Sequence, residues 1–228
     1  MAIAIYYDER RIVANIDQKR VVTTLLDRYG ITYAQEIGIR LQDKPAPLFQ
    51  LLYSALLMSA RISAANAVQA AKALVKARLT TPERMTQASW QDRVDVITWH
   101  GYKRYDERTS TMLGDTSELL IGKYNGDLRK LRDEAERDVK REHQLLQQFS
   151  GIGPVGADIF LREVQPVWTE TYPYADKRVI QAARRLRLGT SAQALSKLVP
   201  RNAFTRLVAA LVRTELAKDY DQILKAAA

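Results

Sequence analysis

The stretch Phe149-Ser150-Gly151-Ile152-Gly153-Pro154-Val155-Gly156-Ala157-Asp158-Ile159-Phe160-Leu161 narrows the folds open to this chain more than any other. A helical pattern runs into Gly-Ile-Gly, and a second begins at Pro154. Glycine accepts a positive φ and lets two backbones approach closely. Proline suits the first position of a helix, where its missing N–H leaves no hydrogen bond unmade. Two helices are therefore expected to turn back on each other here. The N–H groups of Gly153, Val155 and Gly156 then point outward at the positive end of the second helix dipole, an arrangement that cradles phosphate. A glycine turn also serves helices that merely pack closely, so the turn alone assigns no function.

The rest of the chain carries the same period. Leu48, Leu51, Leu52, Ala55, Leu56 and Ser59 follow i, i+3, i+4, i+7 spacing, and Pro45 and Pro47 mark the start of that helix. Residues 64–79 are alanine-rich and helix-forming. Thr81 is placed to cap the next helix, with Pro82 at its first position. A helix through 94–99 is expected to end near Gly101, and one over 110–121 to stop at Gly122. Residues 127–149 predict a single longer helix. Its pairs Arg132–Glu136 and Glu136–Lys140 at i, i+4 make a solvated charged face. Phe204, Leu207, Val208, Leu211, Val212 and Leu216 outline a late amphipathic helix. Residues 21–29 look helical, whereas 2–7 suit a short strand or a loose arm. The expectation is an all-α protein with short connections.

Composition removes several chemistries. The chain has no cysteine, which excludes disulfides, thiolate zinc sites, cysteine-held iron–sulfur clusters and a cysteine nucleophile. His100 and His143 stand too far apart in sequence to suggest a metal site, so no catalytic metal is expected. The opening residues MAIAIYYDERR reach charge too soon for a signal peptide. No apolar run attains the ~18 residues of a spanning helix, so a cytoplasmic protein without membrane contact is expected. The net charge of +9 points to a polyanionic partner. It is localised: Lys177, Arg178, Arg184, Arg185, Arg187, Lys197, Arg201, Arg206 and Arg213 fall in a stretch without Asp or Glu. The other Lys and Arg residues only balance the 26 acidic ones. Such clustering suits a phosphate backbone, although a basic solvated face would look the same.

Beyond the hairpin comes Tyr172-Pro173-Tyr174-Ala175-Asp176-Lys177-Arg178-Val179-Ile180. Asp176 precedes a helix carrying Val179, Ile180, Ala183 and Leu186, where aspartate is a favoured cap. The combination of glycine hairpin, aromatic-proline stretch and helix-opening Asp resembles the helix-hairpin-helix-GPD superfamily of DNA glycosylases, its endonuclease III-like branch above all. The likeness covers about residues 47–217. Phe149 and Ser150 replace the Leu-Pro of that family's hairpin. Residues 48–61, ending Leu57-Met58-Ser59-Ala60-Arg61, are similar to its early helix Phe-x-x-Leu-x-x-x-x-Leu-Leu-Ser-Ala-Gln. Val96-Ile97-Thr98-Trp99-His100-Gly101-Tyr102 resembles its Ile-Gly-Leu/Tyr segment.

The resemblance implies base-excision repair. The nucleotide is flipped out of the duplex at a cost of a few kcal/mol, and its glycosidic bond is cut through an oxocarbenium-like sugar. Asp176 takes the place of the catalytic carboxylate. Arg61 takes the place of the residue that fills the gap left by the flipped base. Gly151, Gly153, Val155, Gly156, Lys177 and Arg178 are expected on the DNA backbone. Trp168, Tyr172, Tyr174 and Tyr102 are candidates to stack on the extruded base, with packing between the domains the alternative for the first three. Two departures matter. The amine that makes family members strand-nicking enzymes is replaced by Val155, so a glycosylase without lyase activity is expected, unless Lys177 supplies the amine. The four-cysteine iron–sulfur loop is absent. By the same analogy the carbonyls of Gln147, Phe149 and Ile152 would hold a monovalent cation.

The expected architecture is two helical subdomains with a cleft between them. Residues 47–164 form a helical barrel ending in the hairpin. Residues 1–46 plus 165–228 form the second, basic subdomain. The expected partner of this monomer is duplex DNA with a damaged or mismatched base. That places the protein at the nucleoid of a prokaryote or in a eukaryotic nucleus. The rival reading is a non-catalytic hairpin protein that binds DNA structure and uses Asp176 only as a cap.

Overall fold

A computed structural model describes residues 17–98 and 106–227. Every regular element among them is helical, and no helix is long and apolar enough to cross a membrane. The all-α expectation holds. The chain divides into two compact units, one of residues 31–176 and one of residues 1–30 with 177–228.

The larger unit holds α2 (Tyr33–Ile37), α3 (Pro45–Ser59), α4 (Ala64–Lys76), α5 (Pro82–Gln87), α6 (Trp90–Thr98), α7 (Asp106–Tyr124), α8 (Leu128–Glu134), α9 (Val139–Leu146) and α10 (Pro154–Val164). At its centre is α3, which buries Leu48, Phe49, Leu51, Leu52, Tyr53, Ala55, Leu56 and Leu57. A helix apolar on all sides must be surrounded, and α4, α8 and α10 pack against it. Thr81 caps α5 as expected, its hydroxyl accepting from the Arg84 N–H at 3.3 Å, with Pro82 in the first turn.

Three expectations need correction. The helix predicted over 127–149 is two helices. Glu136 and Arg137 take left-handed φ of 55° and 58°, and Asp138 starts α9 by accepting from the Arg141 N–H. The break frees Arg132 from the supposed surface ladder. It is buried instead, bound to Glu170 and, at 3.1 Å, to Asp43. Glu136 pairs with Arg141. Second, α7 runs through Gly122 and ends at Tyr124, because Tyr124 is buried and Asn125 and Gly126 supply the positive φ that terminates the helix. Third, residues 31–46 and 165–176 belong to the larger unit. The buried Glu163 of α10 accepts from the N–H groups of Tyr33 and Ala34, which ties α2 to α10. Trp168 packs edge-on against Phe160.

The smaller unit is built on α13 (Arg201–Ala217), against which α1 (Gln18–Tyr29), α11 (Lys177–Arg185) and α12 (Ala192–Ser196) pack. α14 (Tyr220–Ala227) lies against α1, where Asp219 accepts from Tyr29 and pairs with Arg28. Of the nine cations in the basic stretch, all but Arg213 are exposed. Arg185 pairs with Glu215, and Arg206 donates to the Gly30 carbonyl. The expected strand or arm at 2–7 lies outside the described residues.

Candidate functional site

The hairpin forms between α9 and α10. The chain leaves α9 through Gln147 and tightens at Phe149, whose carbonyl accepts from the Ile152 N–H at 3.0 Å. Gly151 sits at φ +80°, and a Cβ there would lie 2.7 Å from the Met112 sulfur and 3.1 Å from Leu56. The positive φ favours glycine, and a Cβ would make the Met112 and Leu56 side chains shift. A hydroxyl clamps the turn: Thr116 of α7 donates to the Ser150 carbonyl, while Ser59 of α3, 3.3 Å from the Gly151 carbonyl, donates to Leu56 of its own helix at 2.8 Å. Ile152 is buried as the turn's apolar anchor. The N–H groups of Gly153, Val155 and Gly156 meet no backbone acceptor among the described residues. Gly153 has extended backbone, and a Cβ on it would meet nothing within 4 Å. The turn also lines a cavity of about 550 Å³ with an apolar floor of Leu56, Met112 and Ile152, to which Arg61 and Arg108 contribute.

One face of α10 carries a row of polar groups, apart from Glu163, which serves α2. Asp158 and Arg162 stand on it at i and i+4, and Gln165 just beyond the helix end continues it at i+7. All three hold the segment that leads to Asp176. Gln165 is buried, and its amide grips Tyr174 from both sides, accepting from the N–H at 2.7 Å and donating to the carbonyl at 3.1 Å. The Tyr174 hydroxyl donates to Asp158 at 2.5 Å. Burial and that acceptor push the tyrosine pKa well up, so the hydroxyl keeps its proton. Arg162 Nη1 donates to Asp176 Oδ2 in an ion pair whose side chains are 7% and 6% exposed.

Asp158 is engaged from a second side. His143 Nε2 lies 3.2 Å from Asp158 Oδ1, and the Gln147 amide nitrogen lies 3.1 Å from His143 Nδ1. With Gln147 donating there, the ring proton sits on Nε2 and points at Asp158. The hairpin helices and the Asp176 segment are thus joined by one polar chain, from Gln147 through His143 and Asp158 to Tyr174.

This chain is similar in fold to endonuclease III bound to DNA. A trapped endonuclease III–DNA covalent intermediate, an estranged-adenine complex, aligns at 17% identity with a TM-score of 0.48, covering 88% of this chain and 86% of that one. A non-covalent endonuclease III–DNA complex aligns at 17% identity with a TM-score of 0.49 and the same coverage. No protein-family model matches the chain, and no curated protein does. The functional reading therefore rests on the chain's own residues.

Of the residues singled out in the sequence, Gly151, Gly153 and Arg61 come together around the cavity. Val155 is 51% exposed at the start of α10, and Gly156 is buried against Ile152 and Ser59. Lys177 and Arg178 open α11 in the smaller unit, both exposed. Tyr172 is half-buried. Trp168 corrects an expectation: it is completely buried, with Phe160 on its ring, Arg132 5.4 Å from its centroid and Asp43 on its indole N–H, so no base can stack on it. Tyr174 is fixed by Gln165 and Asp158 rather than free to stack. Tyr102, with Trp99, His100 and Tyr105, lies outside the described residues. Sequence reading missed Asp158, Arg162, Gln165 and Arg108. The polar positions 158, 162 and 165, a helical turn apart, were the available signal for the first three.

Proposed function

We propose that this chain is a DNA glycosylase of base-excision repair, which flips a damaged or mismatched base from duplex DNA and releases it with Asp176 as the catalytic carboxylate. The observation that carries this reading is the double use of α10. Its N-terminus presents N–H groups that meet no backbone acceptor among the described residues, beside an open Gly153, and its polar face holds Asp176. One rigid helix then relates the group that grips the backbone to the group that acts on the sugar. Backbone contacts of this kind position a protein without reading sequence, and the basic residues of α11 to α13 would add affinity.

In this mechanism the extruded nucleotide loses its base through a cationic sugar. The Asp176 carboxylate stabilises that charge and orients the attacking water. Arg61, exposed at the rim of the cavity, fills the vacated stack. At the hairpin position where an amine would form a Schiff base stands Val155, so the product is an intact strand with an abasic site. An exposed Lys177 acting as that amine is the variant in which the strand is nicked. The carbonyls of Gln147, Phe149 and Ile152 suit a monovalent cation by donor type. Phe149 already accepts one hydrogen bond, which leaves it a single lone pair to give.

A second reading has one observation in its favour. Asp176 is buried in an ion pair, the setting of a purely structural carboxylate. In that case the protein binds DNA structure without cutting anything. End-labelled duplexes carrying uracil, a thymine–guanine mismatch, thymine glycol or an alkylated purine separate the readings, with products resolved before and after hot alkali. The glycosylase reading expects strand breaks only after alkali, and none with Asp176→Asn at undiminished DNA affinity. Breaks without alkali assign lyase activity. Salt-sensitive binding with no release from any duplex favours the structural reading.

A further inference from the structure

We infer that Gln165 and Arg162 are positioning residues: together with Tyr174 they set the place and plane of the Asp176 carboxylate. This inference rests on the glycosylase reading above. The segment before Asp176 has no regular structure of its own, since only a single 3-10 turn at Thr169–Thr171 lies between α10 and α11. Left to itself, such a segment samples many backbone states. The Gln165 amide removes that freedom at Tyr174 by engaging its N–H and its carbonyl at once, as a neighbouring strand would. Two residues on, Arg162 binds Asp176 Oδ2 and fixes rotation about the bond to the carboxylate.

The third contact keeps the other two in place. Asp158 precedes Arg162 by four residues on the same helix face, where opposite charges attract. Tyr174 and His143 both engage Asp158 Oδ1. A carboxylate so occupied competes less for the Arg162 guanidinium, which is left to Asp176. Gln165 and Arg162 are buried, so water does not substitute for either. A carboxylate that must face a developing positive charge gains its effect from such placement, and misplacement by about 1 Å can cost a hundredfold in rate.

The test needs no knowledge of the damaged base. Two duplexes are compared, one carrying a pyrrolidine abasic analogue whose ring ammonium imitates the cationic sugar, the other a neutral tetrahydrofuran abasic analogue. The wild-type protein is expected to prefer the cationic duplex by roughly tenfold or more, as enzymes prefer transition-state mimics. Asp176→Asn removes that preference. Gln165→Met, which changes no charge, and Arg162→Lys, which keeps charge but loses the planar fork, are each expected to cut it to about threefold or less. Affinity for the tetrahydrofuran duplex stays as in the wild type, which a general loss of structure would not allow. Circular dichroism melts verify that each variant folds, and if Arg162→Lys does not, Gln165→Met alone decides. A full preference in the folded variants, with Asp176→Asn lacking it, overturns the positioning inference while Asp176 keeps its role. Preference retained by Asp176→Asn, or absent from the wild type, overturns the Asp176 reading and this inference with it.

Discussion

Glu142 offers a quantitative test of the larger unit's interior. It lies on α9 with no exposure, and neither carboxylate oxygen meets a donor among the described residues. Its neighbour Glu170 is held ionised by two hydrogen bonds from Arg132. Burial, then the charge of Glu170, push the Glu142 pKa up to about 8. The folded protein thus keeps a proton on Glu142 that the unfolded chain, with an ordinary value of 4.5, gives up. A raised folded pKa contributes stability below the unfolded value and loses it as pH climbs through the folded one. At about 1.4 kcal/mol per pH unit, wild-type stability should fall by about 3 kcal/mol between about pH 5 and about pH 7.5 from this group alone. Glu142→Gln does not titrate and keeps the size of the side chain. Urea unfolding, followed by tryptophan fluorescence, should show the variant gaining about 3 kcal/mol on the wild type across that window. Parallel pH profiles for the two proteins would refute the buried proton.

Two glycines of the hairpin should behave oppositely. Gly151→Ala meets both a φ of +80° and contacts with Met112 and Leu56, and should lose about 1–3 kcal/mol in urea unfolding. Gly153→Ala has open space and an ordinary φ of −92°, so its melting temperature should match the wild type while its DNA affinity falls, as measured by fluorescence anisotropy. Arg162→Met leaves the Asp176 charge buried and should cost about 3–5 kcal/mol, most of which Arg162→Met with Asp176→Asn should recover. A single variant as stable as the wild type would mean that the ion pair is not buried as described.

The elements most legible from sequence were those in which local chemistry and apolar period agree. Pro45 opening α3, Thr81 with Pro82 opening α5, and Gly-Ile-Gly-Pro between α9 and α10 each combine a terminus signal with a matching pattern. Charge patterns misled. Arg132 and Glu136 have ideal i, i+4 spacing, yet the helix breaks between them, because Arg132 finds Glu170 and Asp43, both remote in sequence. Gly122 misled in the same way, since the burial of Tyr124 outweighs the weak helix preference of one glycine.

Sequence by itself determined the helical class, the hairpin and the basic C-terminal stretch, because each follows from short-range backbone preferences or from composition. Only the tertiary structure decided what surrounds Asp176. The spacing of Asp158, Arg162 and Gln165 places them on one helix face, but nothing local says that an irregular segment folds back onto that face. Trp168 shows the converse: an aromatic beside a presumed site is core, since its ring fills the space between Phe160 and Arg132. Helix and turn are written in neighbouring residues, whereas the partner of a buried polar group is chosen by the packing that brings distant segments together.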